Sequence, residues 1–249
     1  MVEYTRNGPV GIIQLERPPA NAIDEGTLRT LVEIREQISS DTSVRAVVIL
    51  GSTRIFCAGV DVKMVRHFLA DDGGKQSMLA FVKQLQKFFL DWRHLPVPTI
   101  ASLAGSATGG GLELALSCDL RVASDDAMFG LPEVKLGLIP GAGGTQLLSR
   151  IAGPAIATRL ILTGSLVSGS EAERLGIVHV SSPPQRVNEI ALEWAEQLAA
   201  QSPLAVRAAK ECLLLAPSPD GYSAEIDATG RLLAHGDGTD RVAAFLSRP

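Results

Sequence analysis

Apolar residues along the chain recur with two different periods, and each period predicts a different kind of element. Short apolar runs bounded by Pro, Gly, Asn or Asp predict β-strands. Such runs occupy residues 10–16, 44–50, 99–104, 120–123 and 127–129. The run at 44–50 is apolar at nearly every position, which is typical of a strand that is buried on both faces.

Helical spacing of apolar residues predicts the remaining elements. A first helix follows Asp24, which we expect to be its N-cap, and a second extends over residues 75–92. Residues 105–111 are predicted to form a turn that leads into a helix. Further helices are predicted at 155–163, 187–201, 204–215, 223–233 and 241–247. Because strands and helices alternate early and only helices are predicted after residue 153, we expect an α/β core over residues 1–190 and a helical region over residues 191–249.

Composition and charge exclude several classes of function. The 249-residue chain is 46 % hydrophobic, which is enough to bury a sizeable core. Its net charge of -4 argues against nucleic acid or an anionic membrane as a partner, because both attract a basic surface. No apolar run approaches the roughly 18 residues of a membrane span, and the N-terminus lacks a signal-peptide pattern.

The cysteines Cys57, Cys118 and Cys212 lie far apart in the sequence, and the histidines are equally dispersed. This spacing matches neither a disulfide framework nor a zinc site. We therefore expect no metal ion and a reduced, cytoplasmic compartment.

Three consecutive glycines, at residues 109–111, lie between a predicted strand and a predicted helix. Glycine permits positive φ and close approach to the backbone, and the N-terminus of a helix stabilises an anion. The triplet is therefore either a tight turn with close helix–strand packing or an anion-binding turn. It is neither a dinucleotide fingerprint nor a Walker loop, because the residues that follow fit neither motif.

Two glutamates, Glu113 and Glu133, follow the glycines and have apolar neighbours. Taken alone, Glu113 is more often exposed than buried. If both lie beside the turn, burial and mutual repulsion raise at least one pKa and leave an acid and a base at neutral pH. Residues 54–61 also allow two interpretations, a simple strand-to-helix turn or the source of a second backbone N–H.

The segment IASLAGSATGGGLELALSCDL at residues 100–120 resembles the signature of the enoyl-CoA hydratase/isomerase (crotonase) superfamily. The likeness continues in FGLPEVKLGLIPGAGGTQ at 129–146 and in shorter segments at 56–61, 162–164, 172–178 and 244–246. It implies a crotonase-like spiral of repeated β-β-α units. It also implies that residues 191–249 form a helical C-terminal oligomerisation region, which assembles homo-trimers or hexamers.

The resemblance further implies an enoyl-CoA hydratase, which adds water across the 2,3-double bond of a trans-2-enoyl-CoA to give 3-hydroxyacyl-CoA. The backbone N–H groups of Val60 and Gly110 would form an oxyanion hole for the thioester carbonyl. Glu113 would remove a proton from water, and Glu133 would donate a proton to C2. Hydratases resemble this sequence in having glutamate at both positions, whereas many isomerases keep one acid.

Coenzyme A is part of the substrate in this family, so no separate cofactor is expected. The positions implied to bind the substrate or its CoA group are Arg54, Ala58, Val60, Asp61, Val62, Lys63, Gly110 and Gly141. Arg248 is a further candidate, from a neighbouring subunit. Two departures concern CoA binding: Pro19 stands where a lysine often contacts the pyrophosphate, and the loop at 17–22 is one residue shorter.

Three functions remain open at this point. They are an enoyl-CoA hydratase, an enoyl-CoA isomerase or another crotonase-type acyl-CoA lyase, and a non-catalytic acyl-CoA-binding or scaffold protein. Retention of both glutamates argues against the third.

Overall fold

The structure, a computed structural model, describes residues 1–52, 54–70, 73–216 and 218–247. Within these residues the strands are β1 Val2–Asn7, β2 Val10–Leu15, β3 Ala46–Leu50, β4 Ile55–Cys57, β5 Thr99–Leu103, β6 Ser106–Thr108, β7 Leu120–Ser124, β8 Met128–Gly130, β9 Val167–Ser168 and β10 Val180–Ser182. The helices are α1 Glu25–Ser40, α2 Val62–Ala70, α3 Gly74–Arg93, α4 Gly110–Ser117, α5 Gly144–Ala152, α6 Pro154–Thr163, α7 Gly169–Arg174, α8 Val187–Ala199, α9 Pro203–Leu214, α10 Gly221–His235 and α11 Asp237–Leu246.

The strands form two sheets, and from β3 to β8 successive strands alternate between them. The larger sheet has the order β1-β2-β3-β5-β7-β10 and is parallel apart from the β1–β2 pair. The smaller sheet has the order β4-β6-β8-β9, in which β4, β6 and β8 are parallel. Each of the units β3-β4-α2, β5-β6-α4 and β7-β8-α5 places its first strand in the larger sheet and its second in the smaller. The predicted spiral of β-β-α units is confirmed.

Apart from the six-residue β1, the strands that the sequence pattern misses are short. β6 has three residues and lies where a continuous turn from Gly105 is predicted. β9 and β10, with two and three residues, lie beyond residue 153, where only helices are predicted. The continuous turn predicted from Gly105 and the purely helical region predicted after residue 153 are therefore wrong at these places. Two or three residues are too few to display a strand period.

The long elements follow the predicted pattern closely. Asp24 is the N-cap of α1, and its carboxylate accepts a hydrogen bond from the Thr27 N–H. β3 is buried on both faces, as predicted: Val47 and Ile49 join the main core, whereas Val48 packs on the opposite side against α8. The nearly continuous apolar run at 44–50 is thus explained by a strand between two hydrophobic layers.

The predicted boundary at residue 190 falls inside α8. This helix covers the outer face of the larger sheet with Val187, Ala191 and Ala195, and all three are buried there. The division of the chain at this residue stays a prediction. None of the helices among the described residues is long and apolar enough to cross a bilayer, and the cytoplasmic location also stays a prediction.

Candidate active site

The candidate site lies where three parallel strands of the smaller sheet end. β4 is followed by the loop that carries Val60, β6 by Gly109 and α4, and β8 by the 3₁₀ turn that begins at Glu133. Because β4, β6 and β8 are parallel neighbours, their carboxyl ends meet at one edge. This topology brings together four residues that the sequence singles out: Val60, Gly110, Glu113 and Glu133.

Two backbone N–H groups lie close together at this edge. A Cβ placed on Gly110 would lie 3.4 Å from the nitrogen of Val60, and one placed on Gly59 would lie 2.9 Å from the nitrogen of Gly110. Across the described part of the chain, neither N–H has a protein acceptor. Gly110 is also the first residue of α4, so its N–H lies at the positive end of that helix. The pair can therefore hold a developing oxyanion.

The glycines at this turn have a steric role as well. Gly109 has a φ of 53°, in the left-handed region that favours glycine. A Cβ on Gly111 would overlap the carbonyl of Cys57. The tight-turn interpretation is confirmed; the turn also presents a donor without an acceptor among the described residues, and anion binding there stays a prediction.

Glu113 is buried on α4, with only 2 % of its surface exposed. The expectation that Glu113 is exposed, as a lone glutamate more often is, is therefore wrong. Its Oε1 accepts hydrogen bonds from the N–H of Ala142, at 2.9 Å, and of Gly144, at 2.7 Å. Gly144 is the first residue of α5, so the carboxylate lies at the N-terminus of that helix and its negative charge is stabilised there.

Glu133 presents its carboxyl group to the glycine turn. Its Oε1 lies 3.1 Å from the position that a Cβ on Gly109 would occupy. Its Oε2 is buried and has no hydrogen-bond partner among the residues described. A buried, unpartnered carboxyl oxygen favours the protonated form of the acid.

Burial raises the pKa of both glutamates. For Glu113 it raises the pKa to about 7; the Gly144 N–H opposes this rise, and the nearby charge of Glu133 adds to it. Burial also raises the pKa of Glu133. The predicted rise is confirmed, and the site holds two carboxyl groups suited to proton exchange near neutral pH.

Several residues predicted to bind CoA lie in the loop after β4. Ala58 donates its N–H to the carbonyl of Ala20 and accepts a hydrogen bond from Thr108 Oγ1. Asp61 accepts from the Lys63 N–H through Oδ1 and from Arg17 through Oδ2, so its carboxylate is engaged within the protein. Val62 and Lys63 are exposed at the start of α2. Their contacts with CoA stay predictions.

The remaining predicted residues lie elsewhere. Arg54 is exposed and precedes β4, so it lies at the opposite end of that strand from Val60. Gly141 accepts a hydrogen bond from Gln86 of α3 through its carbonyl. Arg248 lies outside the described residues. The structure therefore unites the catalytic and oxyanion candidates but not the whole predicted CoA set.

The sequence interpretation missed the two N–H groups that hold Glu113. Ala142 lies in the loop between the 3₁₀ turn and α5, in which Gly143 has a φ of 114°, and Gly144 is the first residue of α5. The consecutive glycines at 143 and 144 are the sequence feature from which these N–H donors could have been predicted. A glycine pair before a helix predicts an exposed N-terminus, but the sequence does not show which acid it meets.

Comparisons with known proteins show which family this chain resembles. The sequence model of the enoyl-CoA hydratase/isomerase family matches residues 5–241. The chain is 37 % identical to a probable mitochondrial enoyl-CoA hydratase 2 of Arabidopsis thaliana, covering 96 % of this chain and 80 % of that protein. It is 34 % identical to the short-chain-enoyl-CoA hydratase of Clostridium acetobutylicum, over 98 % and 93 % of the two chains.

A solved structure of similar fold is the enoyl-CoA hydratase from Bacillus anthracis. It superimposes with a TM-score of 0.92 at 34 % identity, and the match covers 98 % of this chain and 95 % of that one. Together with the family match over residues 5–241, this likeness confirms the predicted resemblance. The chain belongs to the enoyl-CoA hydratase/isomerase family.

Proposed function

We propose that this protein is an enoyl-CoA hydratase, which adds water to a trans-2-enoyl-CoA and forms 3-hydroxyacyl-CoA. One observation carries the proposal: two backbone N–H groups without protein acceptors among the described residues lie beside the buried Glu113 and the half-buried Glu133 at the same sheet edge. Hydration requires these parts, since an enolate oxyanion forms while one proton leaves water and another reaches carbon. The names of the similar proteins support the same activity.

The N–H groups of Val60 and Gly110 donate to the thioester carbonyl oxygen. As the C3–O bond forms, the π electrons of the double bond move toward that oxygen and give an enolate. The N-terminus of α4 adds favourable charge at the same point. Loss of one oxyanion donor typically lowers kcat by about 10²–10³-fold.

The two glutamates carry the protons. Glu113, as carboxylate, removes a proton from the water that attacks C3; its free Oε2 is available while Oε1 is held by Ala142 and Gly144. Glu133, as carboxylic acid, donates its proton to C2 of the enolate. Proton exchange with solvent then restores both groups, so the balance is one water added to one double bond.

Coenzyme A is part of the substrate in this proposal, and the enzyme uses no separate cofactor or metal. The adenine nucleotide and pantetheine arm would lie along the loop after β4, which carries Ala58, Val60 and Asp61, and the start of α2, which carries Val62 and Lys63. Lys63, an exposed cationic group on this path, would face the phosphates.

Self-association into a homo-trimer or hexamer is also part of the proposal. The C-terminal helices α10 and α11 carry a series of large apolar side chains that are exposed in the single chain: Tyr222, Ile226, Leu233, Val242, Phe245 and Leu246. Exposed apolar area of this kind is typical of a protein–protein interface. Nucleic acid and membrane are not proposed as partners.

The test is an assay of purified protein with crotonyl-CoA, in which hydration removes the absorbance of the conjugated thioester. We expect this loss together with a product heavier by one water. Migration of the double bond in a 3-enoyl-CoA without hydration would assign an isomerase instead. Thioester binding without turnover of either short or long enoyl esters would assign a binding protein.

A further inference from the structure

The segment between β2 and α1 pairs with the loop that carries Val60. Ala58 donates its N–H to the Ala20 carbonyl at 2.9 Å, and Ile23 donates to the Gly59 carbonyl at 2.8 Å. Asp61 in turn donates to the Ile23 carbonyl at 3.0 Å. Because these bonds enclose Val60 on both sides, the position of its N–H depends on this segment.

Asn21 lies at the centre of the segment and is buried, with 7 % of its surface exposed. Its Nδ2 donates to the carbonyls of Ile55, at 3.2 Å, and Phe56, at 3.0 Å, and its Oδ1 accepts from the Arg17 N–H at 2.8 Å. Asn21 is also the non-glycine residue with positive φ among the described residues, at 49°. Asparagine tolerates this region better than most residues.

The two carbonyls that Asn21 binds belong to β4, at the outer edge of the smaller sheet. The pairing of β4 with β6 is irregular between Ile55 and Cys57. At such an irregularity a strand bends and loses regular ladder bonds. The side-chain amide of Asn21 therefore donates to two consecutive carbonyls of β4 that have no neighbouring strand to bind them. These carbonyls lie directly before the loop that carries Val60.

Arg17, at the start of the segment, forms two ion pairs. Its guanidinium lies 2.7 Å from Asp24, the N-cap of α1, and 2.9 Å from Asp61, which follows Val60. The loop is thus held on one side by a buried amide and on the other by an ion pair.

We infer that Asn21 is a positioning residue, which fixes the Val60 N–H in the oxyanion hole through the carbonyls of β4. This inference rests on the proposed function and deepens it. Asn21 is buried and does not reach the reacting atoms itself. Its loss should let the loop shift, and a shift of about 1 Å at a catalytic donor lowers turnover by as much as about 100-fold.

Two variants separate this role from backbone strain. Asn21→Gly keeps the left-handed conformation accessible but removes all three side-chain hydrogen bonds. Asn21→Asp keeps the shape but replaces the donor with an oxygen that faces two carbonyls. The matched control is Asn188→Ala, because Asn188 of α8 is a partly buried asparagine that accepts from Ser102 in the larger sheet, away from the site.

The readouts are kcat and KM with crotonyl-CoA, and the absorbance of a bound cinnamoyl-CoA with an electron-donating ring substituent. That absorbance moves to longer wavelength when hydrogen bonds polarise the thioester carbonyl. For both Asn21 variants we expect kcat to fall by about 10–100-fold, KM to change by less than about threefold, and the wavelength shift to shrink. Asn188→Ala should match the wild type in all three.

Unchanged kcat and an unchanged wavelength shift in Asn21→Gly would overturn the inference while leaving the hydratase proposal intact. A wild-type protein that polarises the bound thioester but does not hydrate crotonyl-CoA would remove the hydratase proposal alone, and the wavelength shift would still test Asn21. Failure of both variants to fold, with Asn188→Ala folded, would assign Asn21 a purely structural role and overturn the inference.

Discussion

At the scale of single residues, the two glutamates differ in what surrounds their oxygens. Glu113 receives two backbone N–H groups at the N-terminus of α5, an arrangement that favours its charged form. Glu133 has a buried oxygen without a partner among the described residues, which favours its neutral form. Because burial raises the pKa of both groups, this contrast in hydrogen bonding, and not the pKa values, is the basis for the proposed division into base and acid.

The acid role of Glu133 predicts a selective loss in Glu133→Gln. Glutamine keeps the shape but has no transferable proton, and general acid catalysis contributes about 10²–10⁴-fold. We expect kcat with crotonyl-CoA to fall within this range, while the Kd of the product thioester, measured by calorimetry, changes by less than about threefold. Glu189→Gln is the control, because Glu189 is exposed on α8. Wild-type kcat in Glu133→Gln would remove this residue from the mechanism.

The raised pKa of Glu113 predicts a pH-dependent gain in stability for Glu113→Gln. The folded group titrates near pH 7 rather than near 4.5. Between these values the folded state binds the extra proton, so the unfolding free energy of the wild type falls as pH rises. Above pH 7 the buried charge costs up to about 3 kcal/mol, at 1.36 kcal/mol per pKa unit. Glutamine removes that cost.

The measurement is urea unfolding at equal protein concentration, at about pH 4.5 and about pH 8.5. The variant should be more stable than the wild type by about 1–3 kcal/mol at the higher pH and nearly equal to it at the lower pH. An equal difference at both pH values would show that ionisation of Glu113 does not affect stability.

At the scale of elements, α4 combines two functions in eight residues. Its first residue supplies the Gly110 N–H, and its fourth supplies Glu113. Every residue of the helix is buried, so α4 cannot rotate or slide without opening the core. The distance between the oxyanion donor and the base is therefore set by the pitch of one rigid helix.

Gly110→Ala should block this site while keeping the fold. The added Cβ would make ordinary contacts of 3.4–3.5 Å with Val60 and Gly59, so it fits the protein but fills the space beside the two N–H donors. We expect kcat/KM to fall by at least about 10²-fold, as for loss of an oxyanion donor, with little change in the thermal midpoint.

Gly230→Ala is the matched control for this helix substitution. Gly230 lies within α10, and a Cβ there would meet no atom within 4 Å. Alanine should stabilise that helix by up to about 1 kcal/mol and leave activity unchanged. A Gly110→Ala protein with full activity would place the thioester carbonyl elsewhere.

At the scale of the whole molecule, a buried ion pair ties the C-terminal helices to the core. Lys210 of α9 donates to Asp119 at 2.7 Å and to the Val97 carbonyl at 2.9 Å. The same Asp119 oxygen accepts from the backbone and the hydroxyl of Thr99, the first residue of β5. The contact joins α9, β5 and the end of α4, so it spans the predicted division at residue 190.

Lys210→Met should therefore lower the free energy of unfolding. Loss of the Lys210 ammonium group leaves Asp119 and the Val97 carbonyl without this buried donor, which lowers the free energy of unfolding by about 1–3 kcal/mol. Lys87→Met is the control, since Lys87 meets Asp91 at the same 2.7 Å but its side chain is 74 % exposed, against 9 % for Lys210. We expect the control to change stability by no more than about 0.5 kcal/mol in urea unfolding. Equal effects would contradict the role of burial.

The accuracy of the sequence interpretation depends on the length of each element. β3 and α1 show their period over enough residues to be recognised, and the Asp24 cap is a local signal. β6 has only three residues, yet it determines where Gly109 and α4 begin. The placement of α4, and with it Glu113, thus depends on β6, a strand too short to be recognised from its periodicity.

By itself the sequence indicated the family, through motif spacing, and this resemblance implied the β-β-α order and the four central candidate site residues. Only the tertiary structure decided that Glu113 is buried against the N-terminus of α5, and that the backbone nitrogens of Val60 and Gly110 lie close together. It also placed the side-chain amide of Asn21 against two carbonyls of β4. These features are contacts between residues far apart in the chain, and they form only when β4, β6 and β8 align in one sheet.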